Sequence, residues 1–250
     1  MVQTFALARF LDFLLRGPEM RMYQAIGMSS ADAAEKAGAI NSTLSLEVLV
    51  AGGLILFFLF VRLTLSVEKP NPAQQLAEMI HEGVGDLGEQ VIGHGYERFQ
   101  AFVTCIGLFV LLNNLIGLVS GLIPGVQTPT GMPEVPLGLA VLTFLYYNYQ
   151  GIRVNGPGYI KQFLGPLPLM APFMFLIEVI SHLARVLSLT VRLYANMFAS
   201  DMLTLVWFSL VPIAVPSIFL GLHLAVSVIQ AFVFMLLTMI YLSMAVAHEH

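Results

Sequence analysis

MAPFMFLIEVISHLARVLSLTVRLYANMFASDMLTLVWFSL, residues 170–210, decides the fold. After Pro172 it contains no helix breaker, and its apolar residues predict one continuous helix. About forty helical residues reach roughly 60 Å at 1.5 Å per residue. The hydrocarbon core of a bilayer is only about 30 Å thick. A helix of this length in a membrane is therefore steeply tilted, curved or kinked. It also carries Glu178, His182, Arg185, Arg192 and Asp201. Each charge at the bilayer centre costs roughly 2.5–3.5 kcal/mol on insertion scales, so these positions mark function.

The rest of the chain agrees with a membrane setting. Of its 250 residues, 58% are hydrophobic and only 10% charged, and the mean hydropathy is +0.84. A soluble chain carries roughly 25% charged residues. The net charge of −4 argues against a nucleic-acid partner. The single cysteine, Cys105, lies in an apolar run, so neither a disulfide framework nor a cysteine metal site is expected.

After the long helix, Pro212 and Pro216 mark a turn, and residues 217–247 form a last span. These two elements predict a long tilted hairpin. Upstream, residues 44–67 read as a first span, stopped by EKPNP at 68–72. Residues 73–95 place Leu76, Ile80, Val84, Leu87 and Val91 on one stripe, with Glu78, Glu82, Asp86 and Glu89 off it. That pattern is an amphipathic helix on the membrane surface. Residues 99–123 read as a second span, interrupted by Asn113 and Asn114, which either line a polar path or pack helices. Residues 136–150 read as a third, ending in Tyr146, Tyr147 and Tyr149 as interface anchors. The expected fold is all-α and integral to the membrane, with five spans and one interfacial helix. Residues 28–43 read as a polar linker within an N-terminal segment 1–43 that faces outward. Residues 44–250 read as the membrane domain.

Arg62, Lys69 and Arg98 flank the surface helix, and Arg153 and Lys161 follow the third span, whereas 124–136 and 211–216 hold no Lys or Arg. The positive-inside rule puts the basic groups in the cytoplasm, the N-terminus outside and the C-terminus inside.

At about 100° per residue, Glu178, Ser181, Arg185, Ser188, Arg192, Asn196 and Ala199 share one stripe, and Asp201 points to the opposite face. On the last span His223, Ser227 and Gln230 share a face. Folding the hairpin about 211–213 sets Asp201 beside His223 and Arg192 beside Gln230. The second, third and fifth spans hold no acid in their cores, and Glu178 lies about 21 Å from Arg192 at helical rise. Arg192 thus either snorkels into water or meets a carboxylate of another protein. His182 either lines a path on the inner side or faces a neighbouring helix. His81 and His94 read as interfacial residues, and metal binding by the tail at 248–250 is not expected.

SLTVRLYANMFASDML (188–203) followed by HLAVSVIQAFVFMLLTMIYLSMA (223–245) resembles the a subunit of the F-type ATP synthase. The resemblance runs from about residue 44 to the C-terminus and leaves 1–43 uncovered. It implies a proton-translocating stator subunit, not an enzyme in itself, whose two half-channels reach the carboxylate of a c-subunit ring. On that resemblance Arg192 is the essential arginine facing the ring carboxylate, and Asn196 is the asparagine of the RLxxN motif. Asp201 stands where bacteria usually have Glu, His223 is its polar partner, Gln230 faces the arginine, and Glu178 belongs to the cytoplasmic path. Ala195 stands where Gly is common and Arg185 where Lys is seen. The implied setting is a bacterial inner membrane, with a c-ring, a b-subunit peripheral stalk and lipid as partners and no cofactor. An antiporter would need paired acids near a broken helix. A hydrolase would need a G-x-S-x-G or H-E-x-x-H motif, and neither is present.

Overall fold

The computed structural model describes residues 20–21, 23–25, 29–120, 128–156, 159, 171–210 and 214–246. Residues 1–19 of the N-terminal segment, the Lys161 region, the expected turn at 211–213 and the tail at 248–250 lie outside these residues.

Helix α1 spans Ser30–Leu63. Ser29 caps it, its hydroxyl accepting the Asp32 N–H at 3.2 Å. The stretch 28–43, expected as a linker, is helical from Ser30 onward. Ala31, Ala33, Ala34, Ala37 and Ala39 explain the difference, because alanine is the strongest helix former and the Ser29 cap supplies a start. The helix stops at Thr64, whose N–H bonds the Phe60 and Val61 carbonyls.

Helix α2, Pro72–Val91, is the amphipathic element, with a proline in its first turn. Its interior glycines do not break it. A Cβ on Gly88 would lie 2.8 Å from the Tyr96 ring, and one on Gly85 would lie 3.0 Å from Gln100 Nε2. Both glycines let α2 lie close against the following chain. Gln74 is buried on the same helix and bonds both the N–H and the carbonyl of Ser66, which fixes the turn from α1. Gly93 and Gly95 have φ of 83° and 92°, a conformation open to glycine, and there the chain turns into α3.

Helix α3 is Glu97–Ser120 and α4 is Glu134–Asn155, with a 3₁₀ turn at Pro129–Gly131 between them. Helix α5 is Ala171–Leu210 and α6 is Ala214–Val246, close to the expected bounds of the long hairpin. Among the described residues there is no strand. Four segments are long and apolar enough to cross a membrane: Thr43–Leu63, Glu97–Leu118, Ala171–Leu210 and Ser217–Val246. The expected third span, α4, is not among them. Its 22 residues reach about 33 Å, but its second half is polar and aromatic.

Two contiguous cores hold the helices. Ile106 and Val110 of α3, Leu139 and Ala140 of α4, Leu189, Leu193 and Met197 of α5, and Ala231 and Phe234 of α6 form one. Val84, Phe99, Val103, Tyr147, Tyr159, Met239, Leu242 and Ala245 form the other. Helix α6 contributes to both and is the central element. Asn155 donates to the Ala245 carbonyl at 3.0 Å, and a Cβ on Gly151 would lie 3.1 Å from that oxygen, so α4 and α6 approach closely at this end. Helix α5 buries only a narrow stripe, through His182, Leu189, Leu193, Met197 and Thr204. Its large side chains such as Leu183, Leu187, Val191 and Leu205 are exposed and suit lipid or another chain.

Candidate functional site

Two polar clusters lie at different levels of α5. The first is built where α5 and α6 run side by side near their shared turn. His223 Nδ1 sits 3.7 Å from Asp201 Oδ1. The expected register of the hairpin therefore holds at this level. His223 is 1% exposed. Thr128, ahead of the 3₁₀ turn, makes a side-chain hydrogen bond to Asp201. A Cβ on Gly131 would lie 3.1 Å from Asp201 Oδ2. One on Gly117 of α3 would lie 2.8 Å from both His223 Nε2 and Thr128 Oγ1. The carboxylate and imidazole thus sit in a cradle with no room for extra carbon.

One turn further along α6, Asn114 Nδ2 donates to the Ser227 carbonyl at 3.3 Å, and Ser227 Oγ donates back to the Asn114 carbonyl at 3.4 Å. Asn113 bonds its own helix at Phe109 O. The Asn pair therefore both joins α3 to α6 and lies close to the cluster. His223 Nε2, Asn113 Oδ1, Asn114 Oδ1 and Thr130 Oγ1 are buried and have no protein partner. Buried polar atoms are ordinarily bonded to protein or water.

Gln230, buried on α6, accepts from Asn196 Nδ2 at 2.8 Å. The expected neighbour was Arg192; the bond instead falls one turn along the same stripe, to Asn196. Arg192 is half-buried, and its Nη2 donates to Ser188 Oγ at 3.4 Å. Among the described residues it makes no ion pair.

The second cluster lies near the other end. His182 Nε2 is 3.3 Å from Glu178 Oε1, and His182 Nδ1 is 2.6 Å from the Tyr147 hydroxyl. The Tyr147 and His182 rings stack at 5.7 Å. Arg185 lies over the Tyr241 ring at 5.4 Å. Burial pushes the Tyr159 phenol up to about 12, so it keeps its proton and donates to Asn148 Oδ1 at 2.9 Å. Tyr147 was read as an interface anchor; at 1% exposure it is a core residue. Tyr149, 60% exposed, suits the anchor role.

A family model described as the ATP synthase A chain matches residues 45–243. The chain belongs to that family. ATP synthase subunit a of Koribacter versatilis is 45% identical over 242 residues, 96% of either chain. That of Solibacter usitatus is 44% identical over 207 residues, 82% of this chain and 87% of the relative. That of Aquifex aeolicus is 40% identical over 190 residues, 72% of this chain and 86% of the relative. The family match begins within two residues of the expected start of the resemblance, and the first relative extends well into the N-terminal segment. Membership and the apolar helices together fit a membrane protein of ATP synthesis and proton transport.

Thr128, Gly117, Gly131 and Tyr147 had not been singled out as site residues from sequence. Thr128 and Gly131 lie in a stretch that reads as an ordinary turn, and Gly117 lies in an apolar run. Only the fold brings them to the acid and the histidine.

Proposed function

We propose that this chain is the non-catalytic, proton-translocating stator subunit of an F-type ATP synthase in a bacterial inner membrane. Its partners are a c-subunit ring, a b-subunit peripheral stalk and lipid. The observation that carries the reading is the Asp201–His223 contact within a cradle of buried, unpartnered polar atoms, one helix face away from an arginine that makes no ion pair among the described residues. Water bonded to those atoms forms the outer half-channel. Asp201 and His223 exchange protons with it, an imidazole being suited to this at neutral pH. The proton then loads a ring carboxylate facing Arg192, rides the ring, and leaves through an inner half-channel at Glu178. Asn196 and Gln230, bonded to each other, fix the polar stripe beside Arg192. The membrane sector purified with this chain should carry a small ring-forming protein and conduct protons; a purified sector lacking such a ring would overturn the reading.

In this reading α4 is the third of five spans and α2 the interfacial helix. Residues 1–43 face outward as an N-terminal segment, 44–250 form the channel domain, and the C-terminus is cytoplasmic. With Cys105 replaced by alanine, a cysteine at Met132 should react with an impermeant thiol reagent only from outside sealed vesicles. One at Asn155 should react only from inside. Reaction of both from one side would remove α4 from the membrane.

Gly117 gives a graded test of the outer path. Gly117→Ala adds a methyl 2.8 Å from His223 Nε2 and Thr128 Oγ1. Overpacking of this kind costs roughly 1–3 kcal/mol. Proton-driven ATP synthesis should fall several-fold in Gly117→Ala vesicles and further in Gly117→Val, with the subunit still in the membrane. Parental rates in both would place the path elsewhere.

A further inference from the structure

We infer that His182 is a positioning residue for Glu178: held by Tyr147 in a single tautomer, it keeps an N–H donor on the inner carboxylate. The inference rests on the reading of Glu178 as the acid of the inner half-channel.

His182 is buried, at 7% exposure, between α4 and its own helix. An ionised carboxylate has only acceptors, so the His182 nitrogen beside it, Nε2 at 3.3 Å from Glu178 Oε1, carries the ring hydrogen and donates it. In the neutral ring Nδ1 is then an acceptor, and the Tyr147 O–H, 2.6 Å away, donates to it. Tyr147, His182 and Glu178 thus form a hydrogen-bond chain running in one direction onto a carboxylate. Bonds in such chains polarise one another, and a donor on a carboxylate favours its charged form.

The titratable and charged groups facing His182 are Glu178 and Arg185 on α5, Tyr147 on α4 and Tyr241 on α6, with Tyr159 beyond α4. Glu178 itself is 37% exposed on its side chain, so water reaches it from one side.

The test is ATP-driven pumping by the reconstituted holocomplex as a function of pH on the inner side. His182→Leu removes the donor from the carboxylate, and the midpoint of pumping against inner pH should move up by about one unit. His182→Gln returns an N–H near the Nε2 position and should keep the parental midpoint. Tyr147→Phe, which loses only the hydroxyl, should move it in the same direction by less. Two results overturn the inference: a His182→Leu complex slower at every pH with an unmoved midpoint, or a His182→Gln midpoint displaced as far as that of His182→Leu. If His182→Leu does not assemble, an unmoved midpoint in Tyr147→Phe overturns it equally. Glu178→Gln separates the two levels. If the inner-pH dependence survives that change, Glu178 is not the inner acid and both ideas fall. If it is lost while His182→Leu keeps the parental midpoint, only the role of His182 falls.

Discussion

Arg192→Ala is expected to abolish ATP-driven proton pumping and coupled ATP synthesis, a loss of at least about a hundredfold, or ~2.7 kcal/mol at 1.36 kcal/mol per tenfold. The side chain lies midway along α5, half-buried, with a hydroxyl, Ser188 Oγ, as its hydrogen-bond partner. An uncompensated charge at membrane depth costs roughly 2.5–3.5 kcal/mol, so a carboxylate supplied by another chain has much to gain there. The surrounding face of α5 is open to such a partner, with Ser188, Ala195, Asn196 and Ala199 all exposed. In the proposed mechanism a fixed positive charge draws the deprotonated ring carboxylate and repels a proton moving directly between the two paths, and its loss joins them and lets the gradient leak. Arg192→Lys should recover only part of the function. A guanidinium stays charged and presents a planar fork, whereas an ammonium is a point charge that gives up its proton when desolvated. Inverted membrane vesicles with a pH-sensitive fluorophore report pumping, and the same vesicles driven by an imposed gradient report synthesis. Normal synthesis in Arg192→Ala vesicles would falsify the proposed role.

The hairpin was the most legible part of the sequence. Its two helices lack internal breakers, and the Asp201–His223 pair could be placed by helical rise and a turn position alone. The neighbouring pair slipped by one turn, with Gln230 on Asn196 and not on Arg192. Side-chain length explains the slip: an asparagine and a glutamine fill the gap between two helices, while a longer arginine reaches past it to Ser188. Two other readings failed for physical reasons. Residues 28–43 look like a linker by polarity, but helix propensity there comes from alanine and not from an apolar stripe. Tyr147 looks like an interface anchor beside Tyr146 and Tyr149, yet adjacent helical residues point about 100° apart, and one of the three had to face inward. The cradle around Asp201 was not legible at all. It joins a loop threonine, two glycines and an α6 histidine distant in sequence, and glycine's part in it is the space it leaves, which has no sequence signal.

Asp201→Ala is expected to slow proton entry from the outer side by about tenfold or more, within the range of general acid–base contributions. His223→Ala should slow it comparably or less. In both variants the dependence on outer pH should change and the dependence on inner pH should not, because Glu178 is more than twenty residues away along α5. The two groups meet at 3.7 Å, and Thr128 and Gly131 hem in the carboxylate, so a longer acid is not neutral here. Asp201→Glu adds one methylene against that wall and should retain partial activity. In the proposed path, water at the unpartnered His223 Nε2 and the Asn113 and Asn114 oxygens shares the work with the two side chains. Proximity is the sharper claim and has its own measurement. With Cys105 replaced, cysteines introduced as Asp201→Cys and His223→Cys should crosslink efficiently with a short bifunctional reagent in the assembled complex. The pair Arg192→Cys and His223→Cys should not, since nine residues of helix offset it by about 13 Å. Efficient crosslinking of the second pair without the first would mean that α5 has slid more than two turns along α6. The cradle, the register and the outer path would then all be wrong together.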